Sequence, residues 1–125
     1  MNDPILEEVA QNISDKASSN TENENFGSII LTIMIIGIVL NLIRVVQECN
    51  NDNKSTDKGT ADKIKNLCAR KGWFTKMRIK KSIRQQIGTE KYKQYGKIIL
   101  DAIMDTGENL TEEKLIKLVE ASNNV

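Results

Sequence analysis

The feature that most constrains this chain is an uninterrupted apolar stretch in its first half. Residues 26–43 read FGSIILTIMIIGIVLNLI, and no charged side chain occurs between Glu24 and Arg44. A helix of this length spans roughly 27 Å, close to the roughly 30 Å hydrocarbon thickness of a bilayer. The stretch therefore predicts one transmembrane helix over residues 26–46. The side chains predicted to form its membrane-spanning surface are Phe26, Ile29, Ile33, Ile36, Val39, Leu42 and Ile43.

The alternative for this stretch is a helix buried in a protein core. Such a helix needs apolar partners around its whole circumference, and the rest of the chain is polar and only weakly apolar. A cleaved signal peptide fits less well, because an acidic segment precedes the stretch and no small-residue cleavage site follows it. The retained span is therefore the preferred prediction.

Charge is segregated along the chain, although the formal net charge is only +1. Residues 1–25 carry −5, residues 63–97 carry +11 and residues 98–125 carry −4. Because the cytoplasmic flanks of membrane spans are rich in Lys and Arg, this asymmetry predicts a single-pass protein with its N-terminus outside and its C-terminal module in the cytoplasm. In that reducing compartment Cys49 and Cys68 would be free thiols.

The fold class predicted from these segments is all-α. An acidic head over residues 1–25 contains a short amphipathic helix that starts at Asp3 and Pro4, and its apolar stripe either docks on a partner or frays near the membrane. The transmembrane helix over residues 26–46 follows, and then a polar linker over 47–59. A basic module of about four short helices over 60–122 and a tail over 123–125 complete the chain.

The helices of the basic module are predicted from apolar residues at helical spacing, such as Ile79, Ile83 and Ile87. Glycine and N-cap residues mark the predicted boundaries between them. These boundaries are Gly72, Gly88 followed by Thr89 as a cap, Gly107, and Thr111 as the cap of the last helix.

The basic run at the start of this module mixes positive charge with bulky apolar side chains. It has three interpretations: insertion at a lipid surface, binding to nucleic acid phosphates by a pair of helices resembling a helix-turn-helix, or a solvated basic face whose aromatic residues fill the module's core. The candidate lipid or phosphate contacts are Arg70, Lys71, Trp73, Phe74, Lys76, Met77, Arg78, Lys80, Lys81 and Arg84.

Catalytic and metal-binding patterns are missing from the sequence. The chain has no histidine, and it contains no Gly-rich phosphate loop and no GxSxG, HExxH or CxxC motif. The stretch from Asp105 resembles a calcium loop, but Leu110 replaces the required glycine and Ile116 the required glutamate. We therefore predict no enzymatic activity, no catalytic residue, no cofactor and no bound metal.

These features together predict a non-enzymatic, membrane-anchored interaction or structural protein whose basic module acts at the membrane surface. Its predicted partners are the lipid bilayer and either another protein or a second copy of the chain. One alternative is a membrane tether for nucleic acid, and another is a small phage protein that permeabilises membranes or takes part in lysis. The layout is typical of many unrelated phage, viral and bacterial proteins.

Overall fold

The computed structural model describes residues 4–22, 25–49, 56–70 and 72–125. Within these ranges the protein consists of seven helices and no strands, so the predicted all-α class is confirmed. The Asp3 cap, Lys71 and residues 50–55 of the predicted linker lie outside the described residues. The helices are α1 (Pro4–Ser19), α2 (Phe26–Ile29), α3 (Thr32–Cys49), α4 (Asp57–Arg70), α5 (Trp73–Ile87), α6 (Thr89–Asn109) and α7 (Glu112–Asn123).

The long apolar stretch is divided between two helices. The helix α2 ends at Ile29, and the backbone of its C-cap residue, Ile30, is extended (φ −108°, ψ 98°). A new turn begins where the N–H of Met34 donates to the carbonyl of Leu31 at 3.0 Å. Among the described residues, no helix is both long enough and apolar enough to cross a bilayer. The continuous transmembrane helix predicted over 26–46 is therefore not supported.

The helix α3 lies in the core of the bundle, where it packs against α1, α4, α5 and α7. The side chains of Ile35 and Ile38 are completely buried. On the α5 side, Asn41 Nδ2 donates to Ser82 Oγ at 2.9 Å. The surrounding helices each contribute a narrow apolar stripe, and together these stripes cover a helix that none of them could cover alone.

The residues predicted to face lipid occupy several different environments. Phe26, Ile36, Val39 and Ile43 are buried. Ile29 and Leu42 are partly buried against the same core, whereas Ile33 is 65% exposed. The ring of Phe26 meets Tyr95 of α6 edge to face, with 5.5 Å between centroids. Most of this apolar surface therefore contacts protein, because four other helices reach it.

The N-terminal helix α1 belongs to the same core and packs against α3, α6 and α7. Leu6, Val9 and Ile13 on its apolar stripe are each 2% exposed. Ion pairs at the rim join Lys16 to Asp105 and Lys114 to Glu8. The stripe for which docking on a partner or fraying was predicted is thus covered by the chain's own helices.

Four helices follow the predicted linker, as the sequence predicts, but they extend over residues 57–123 and not 60–122, so that α4 includes the last three residues of the predicted linker. Gly88 separates α5 from α6 with a φ of +88°, a conformation that side chains rarely adopt. Thr111 caps α7 as predicted, since its Oγ1 accepts the N–H of Lys114 at 3.2 Å. Thr89 is not a cap, because the N-cap of α6 is Gly88.

Gly107 does not end a helix, contrary to the sequence prediction. The helix α6 continues through it to Asn109, and Gly107 itself is buried. A Cβ atom at this position would collide with Sγ of Cys68 in α4. Gly107 is therefore a close-packing site between α4 and α6, and its small size allows the two helices to approach.

Candidate functional site

The helix α5 has two chemically different faces. Ile79, Ser82, Ile83 and Ile87 point into the core and are each at most 6% exposed. Their spacing of three or four residues defines the inward face, and helical geometry turns the intervening residues outward. The predicted basic run therefore has a fixed orientation with respect to the bundle.

Three large apolar side chains lie outside the core at the N-terminal end of α5. Trp73 is 66% exposed, Phe74 is 76% exposed and Met77 is 48% exposed. The rings of Trp73 and Phe74 pack edge to face against each other, with 5.0 Å between centroids. One of the three interpretations of the sequence required these aromatic rings to fill the core. Neither ring does so.

We define the outer face of α5 as the exposed side chains along this helix. Trp73, Met77, Lys80 and Arg84 form one line, because they are separated by four, three and four residues. The line rises about 16 Å along the helix axis. Its first half is apolar and its second half is basic. Phe74, Arg78 and Lys81 are also exposed and lie beside this line.

The electrostatics of the outer face are uniformly positive. Five cations and no acid occur between residues 73 and 87. The guanidinium of Arg84 lies 5.9 Å from the centroid of the Tyr92 ring, which holds this cation near the C-terminal end of α5. Arg70 adds an exposed cation at the end of α4. Lys76 is different, since it is half-buried and lines a depression with Lys16 and residues of α6.

The N-terminal end of α5 adds a partial positive charge to this surface. Gly72 is the N-cap residue, and a glycine has no side chain that could accept the first N–H groups of the helix. The first turn also contains no acidic residue that would offset the helix dipole. Apolar side chains and positive potential therefore occur together at the same end of the helix.

A second group of exposed apolar side chains provides a contrast. Leu31 is 44% exposed and Ile33 is 65% exposed at the break between α2 and α3. Ile33 lines a shallow depression with Glu7 and Glu8 of α1. This second surface is apolar and acidic, whereas the outer face of α5 is apolar and basic.

The thiol of Cys68 lies inside the bundle on α4. Burial, together with the charge of Glu108, raises the pKa of the Cys68 thiol to about 11. The thiol therefore stays protonated near neutral pH and is a poor nucleophile. No group of three or more acidic or cysteine side chains within the described ranges is arranged to hold a metal ion.

Comparisons of the chain with protein-family models, curated proteins and solved structures find no match. The exposed surface of α5 is therefore the basis for a proposed function. The sequence predicts the basic run and its aromatic residues, but the predicted contacts include Lys76, which turns away from the others. A helical projection anchored on Ile79, Ile83 and Ile87 would have separated these side chains.

Proposed function

We propose that this protein is a non-enzymatic interaction module that docks on an anionic lipid surface through the outer face of α5. The observation that carries this proposal is the exposure of Trp73, Phe74 and Met77 directly beside a row of cations. A bilayer surface presents the matching chemistry, with apolar chains below a layer of negative phosphates.

The apolar half of the outer face supports insertion at the headgroup level. A folded chain rarely leaves two neighbouring aromatic rings in water when a core is available, and such patches typically mark an interaction surface. Tryptophan is enriched at the boundary between water and hydrocarbon, where its ring is apolar and its N–H remains hydrated. Trp73 and Phe74 have this position at one end of the basic row.

The basic half supports attraction to anionic headgroups. Each Lys or Arg near such a surface contributes about 1 kcal/mol at physiological ionic strength. Arg78, Lys80, Lys81 and Arg84 follow the apolar side chains along the same helix. Their combined attraction orients α5 toward the membrane, while the acidic α1 lies elsewhere in the bundle.

Nucleic acid binding is the weaker interpretation of the same cations. In a helix-turn-helix, the N-terminal residues of the second helix contact base edges through polar groups. Here Trp73 and Phe74 occupy those positions of α5, and neither offers the paired donors and acceptors that base reading needs. The outer face of α5 therefore fits a lipid surface better than it fits base edges.

A span formed by residues 26–46 and a permeabilising role both require a different arrangement of the chain. Either would remove α3 from the bundle and expose the apolar stripes that now cover it. Extraction of membranes with alkaline carbonate separates these arrangements. The proposed peripheral module would be released, whereas a single-pass protein with its N-terminus outside would stay in the pellet.

The direct test is binding of the full chain to vesicles of phosphatidylcholine with and without phosphatidylglycerol. The chain has one tryptophan, so Trp73 reports its own insertion by a blue shift of its emission. We expect sedimentation with the anionic vesicles only, and weaker binding as salt is raised. Phe74→Ser should weaken binding at least about tenfold, since it removes an inserted ring.

Matched control variants distinguish binding by the outer face of α5 from nonspecific adhesion of the protein to vesicles. Ile33→Ser removes an apolar side chain that is 65% exposed, against 76% for Phe74, and lies beside acidic α1. Binding of this variant should equal that of the unmodified chain. Lys80→Glu with Lys81→Glu should abolish binding, whereas Lys97→Glu on α6 should have little effect. Absence of binding at low salt would overturn the proposal. Binding of DNA or RNA in place of vesicles would favour the tether.

A further inference from the structure

The bundle contains an apolar cavity of about 220 Å³. Its walls come from six helices, α1 and α3 through α7. The helix α4 packs mainly on α6 and α7, whereas α5 packs on α3 and α6. This arrangement leaves a gap between α4 and α5, and the cavity occupies the gap.

The walls are almost entirely apolar. Isoleucine, leucine and valine side chains form most of the lining, and α3 contributes the largest group of them. The side chains that carry nitrogen or oxygen are Lys63, Thr75, Arg78 and Thr106. Apolar cavities of this kind exclude water and accept apolar ligands. The chemistry of the walls therefore fits a hydrocarbon group.

Two features of the cavity reduce the stability of the fold. An empty space in a core loses packing contacts. In addition, Thr106 is 4% exposed and its hydroxyl has no hydrogen-bond partner among the described residues. A packing defect and an unpaired buried hydroxyl that occur together are expected at a functional site rather than at a purely structural one.

The position of the opening follows from the exposure of the lining residues. Phe74 and Arg78 line the cavity and are also exposed to solvent, so the cavity opens beside them on α5. Lys63 lines it from α4 and is half-buried. A negative group on a ligand would therefore find two cations while its apolar part lies between the helices.

The volume limits the ligand to one short chain. Benzene, with six carbons, fills an apolar cavity of about 150 Å³, and in proportion 220 Å³ accommodates about nine carbons. Two-chain phospholipids are much larger than this. We infer that the cavity binds a free medium-chain fatty acid, with its alkyl chain among the apolar walls and its carboxylate near Arg78 and Lys63.

Binding of a fatty acid in the cavity does not depend on docking of the protein on a lipid surface. The probe for this binding is decanoate, used below its critical micelle concentration. Titration calorimetry on the full chain should show binding in the micromolar range, with a matching rise in melting temperature. Decyltrimethylammonium has the same chain length and the opposite charge, so it should bind at least about tenfold more weakly.

Variants locate the binding. Leu67→Phe and, separately, Val46→Phe place extra volume in the cavity from half-buried wall positions and should each abolish decanoate binding. Melting curves identify any variant that fails to fold, and the other then provides the test. Arg78→Gln should weaken binding about tenfold, whereas Lys97→Gln on α6 should leave it unchanged.

The two proposals fail separately. Leu67→Phe should still bind anionic vesicles, and Trp73→Ala should still bind decanoate. A dissociation constant for decanoate above about 1 mM would overturn the cavity inference. Equal affinity for the anionic and cationic ligands, or unchanged binding in both cavity-filling variants, would also overturn it.

Discussion

The apolar side chains of α3 and those at the start of α5 lie in opposite environments. Most of α3 lies inside the bundle, where Ile35 and Ile38 are completely buried. Two of the bulkiest apolar side chains, Trp73 and Phe74, lie outside the core at the start of α5. The comparison shows that apolar composition predicts burial poorly, because burial depends on whether other helices reach a given side chain.

The physical reason lies in helix geometry. A helix that places Ile79, Ile83 and Ile87 in the core turns residues two positions away from them, such as Met77 and Lys81, toward its other side. Trp73 lies on the same line as Met77, four residues before it. No such conflict arises for α3, because apolar residues surround it and neighbouring helices contribute stripes from several directions.

The strongest test of this comparison places a charge at two positions of α3. Ile38→Asp buries an unpaired carboxylate and should lower the free energy of unfolding by about 4 kcal/mol or more. Ile33→Asp adds the same charge at a position that is 65% exposed. This variant should change the free energy of unfolding by less than about 0.5 kcal/mol. Urea unfolding followed by circular dichroism measures both. Equal losses for the two variants would contradict the buried position of α3.

The chain's two phenylalanines provide the next comparison. Phe26 is completely buried against Tyr95, so Phe26→Ala should cost about 3–5 kcal/mol of stability. Phe74→Ala should change stability by less than about 0.5 kcal/mol and should reduce vesicle binding instead. Thermal unfolding and vesicle sedimentation, measured on both variants, separate the two roles. A stability loss at Phe74 as large as that at Phe26 would show that Phe74 belongs to the core.

Gly107 tests how closely α4 and α6 approach. Gly107→Ala places a methyl group against Sγ of Cys68 and should cost about 1–3 kcal/mol in the free energy of unfolding. Cys68→Ala should restore part of that loss in the double variant, because it removes the colliding sulfur. Gly27→Ala is the control, since its added methyl group meets no atom within 4 Å. Strictly additive effects of the two substitutions would argue against the contact.

The smallest expected effect concerns pH. Burial raises the pKa of the Cys68 thiol from 9.0 to about 11, so between these values the unfolded chain loses a proton that the folded chain retains. The unfolded state then binds fewer protons, and stability falls as the pH rises through this window. The loss should be about 1 kcal/mol at pH 10. Urea unfolding at pH 8 and pH 10 measures the decline in the free energy of unfolding, which should be smaller for Cys68→Ala than for the unmodified chain. Equal declines in the two proteins would mean that other groups cause the effect.

Much of the secondary structure could be predicted from local signals. The spacing of Ile79, Ile83 and Ile87 gave the inward face of α5, and Thr111 gave the start of α7, because both depend only on neighbouring residues. The role of Gly107 could not be predicted, since a glycine that ends a helix and a glycine that allows two helices to approach look alike in sequence. Only the position of Cys68 on another helix distinguishes them.

The candidate site was predicted in composition but not in arrangement. The basic residues and aromatic rings near Gly72 are visible in the sequence, and so is the absence of histidine. The exposure of Trp73 and the orientation of Lys76 depend on which side of α5 the other helices cover. The cavity could not be found at all, because its walls come from residues as distant in sequence as Val9 and Leu118.

The helical class, the segregation of charge and the lack of the common catalytic motifs can be read from the sequence, since these follow from composition and short-range spacing. The location of the apolar stretch from residue 26 and the exposure of the side chains of α5 depend on tertiary contacts. The reason is that the span and the core helix have the same local pattern, and the difference between them is the summed contact of weak apolar stripes on several other helices.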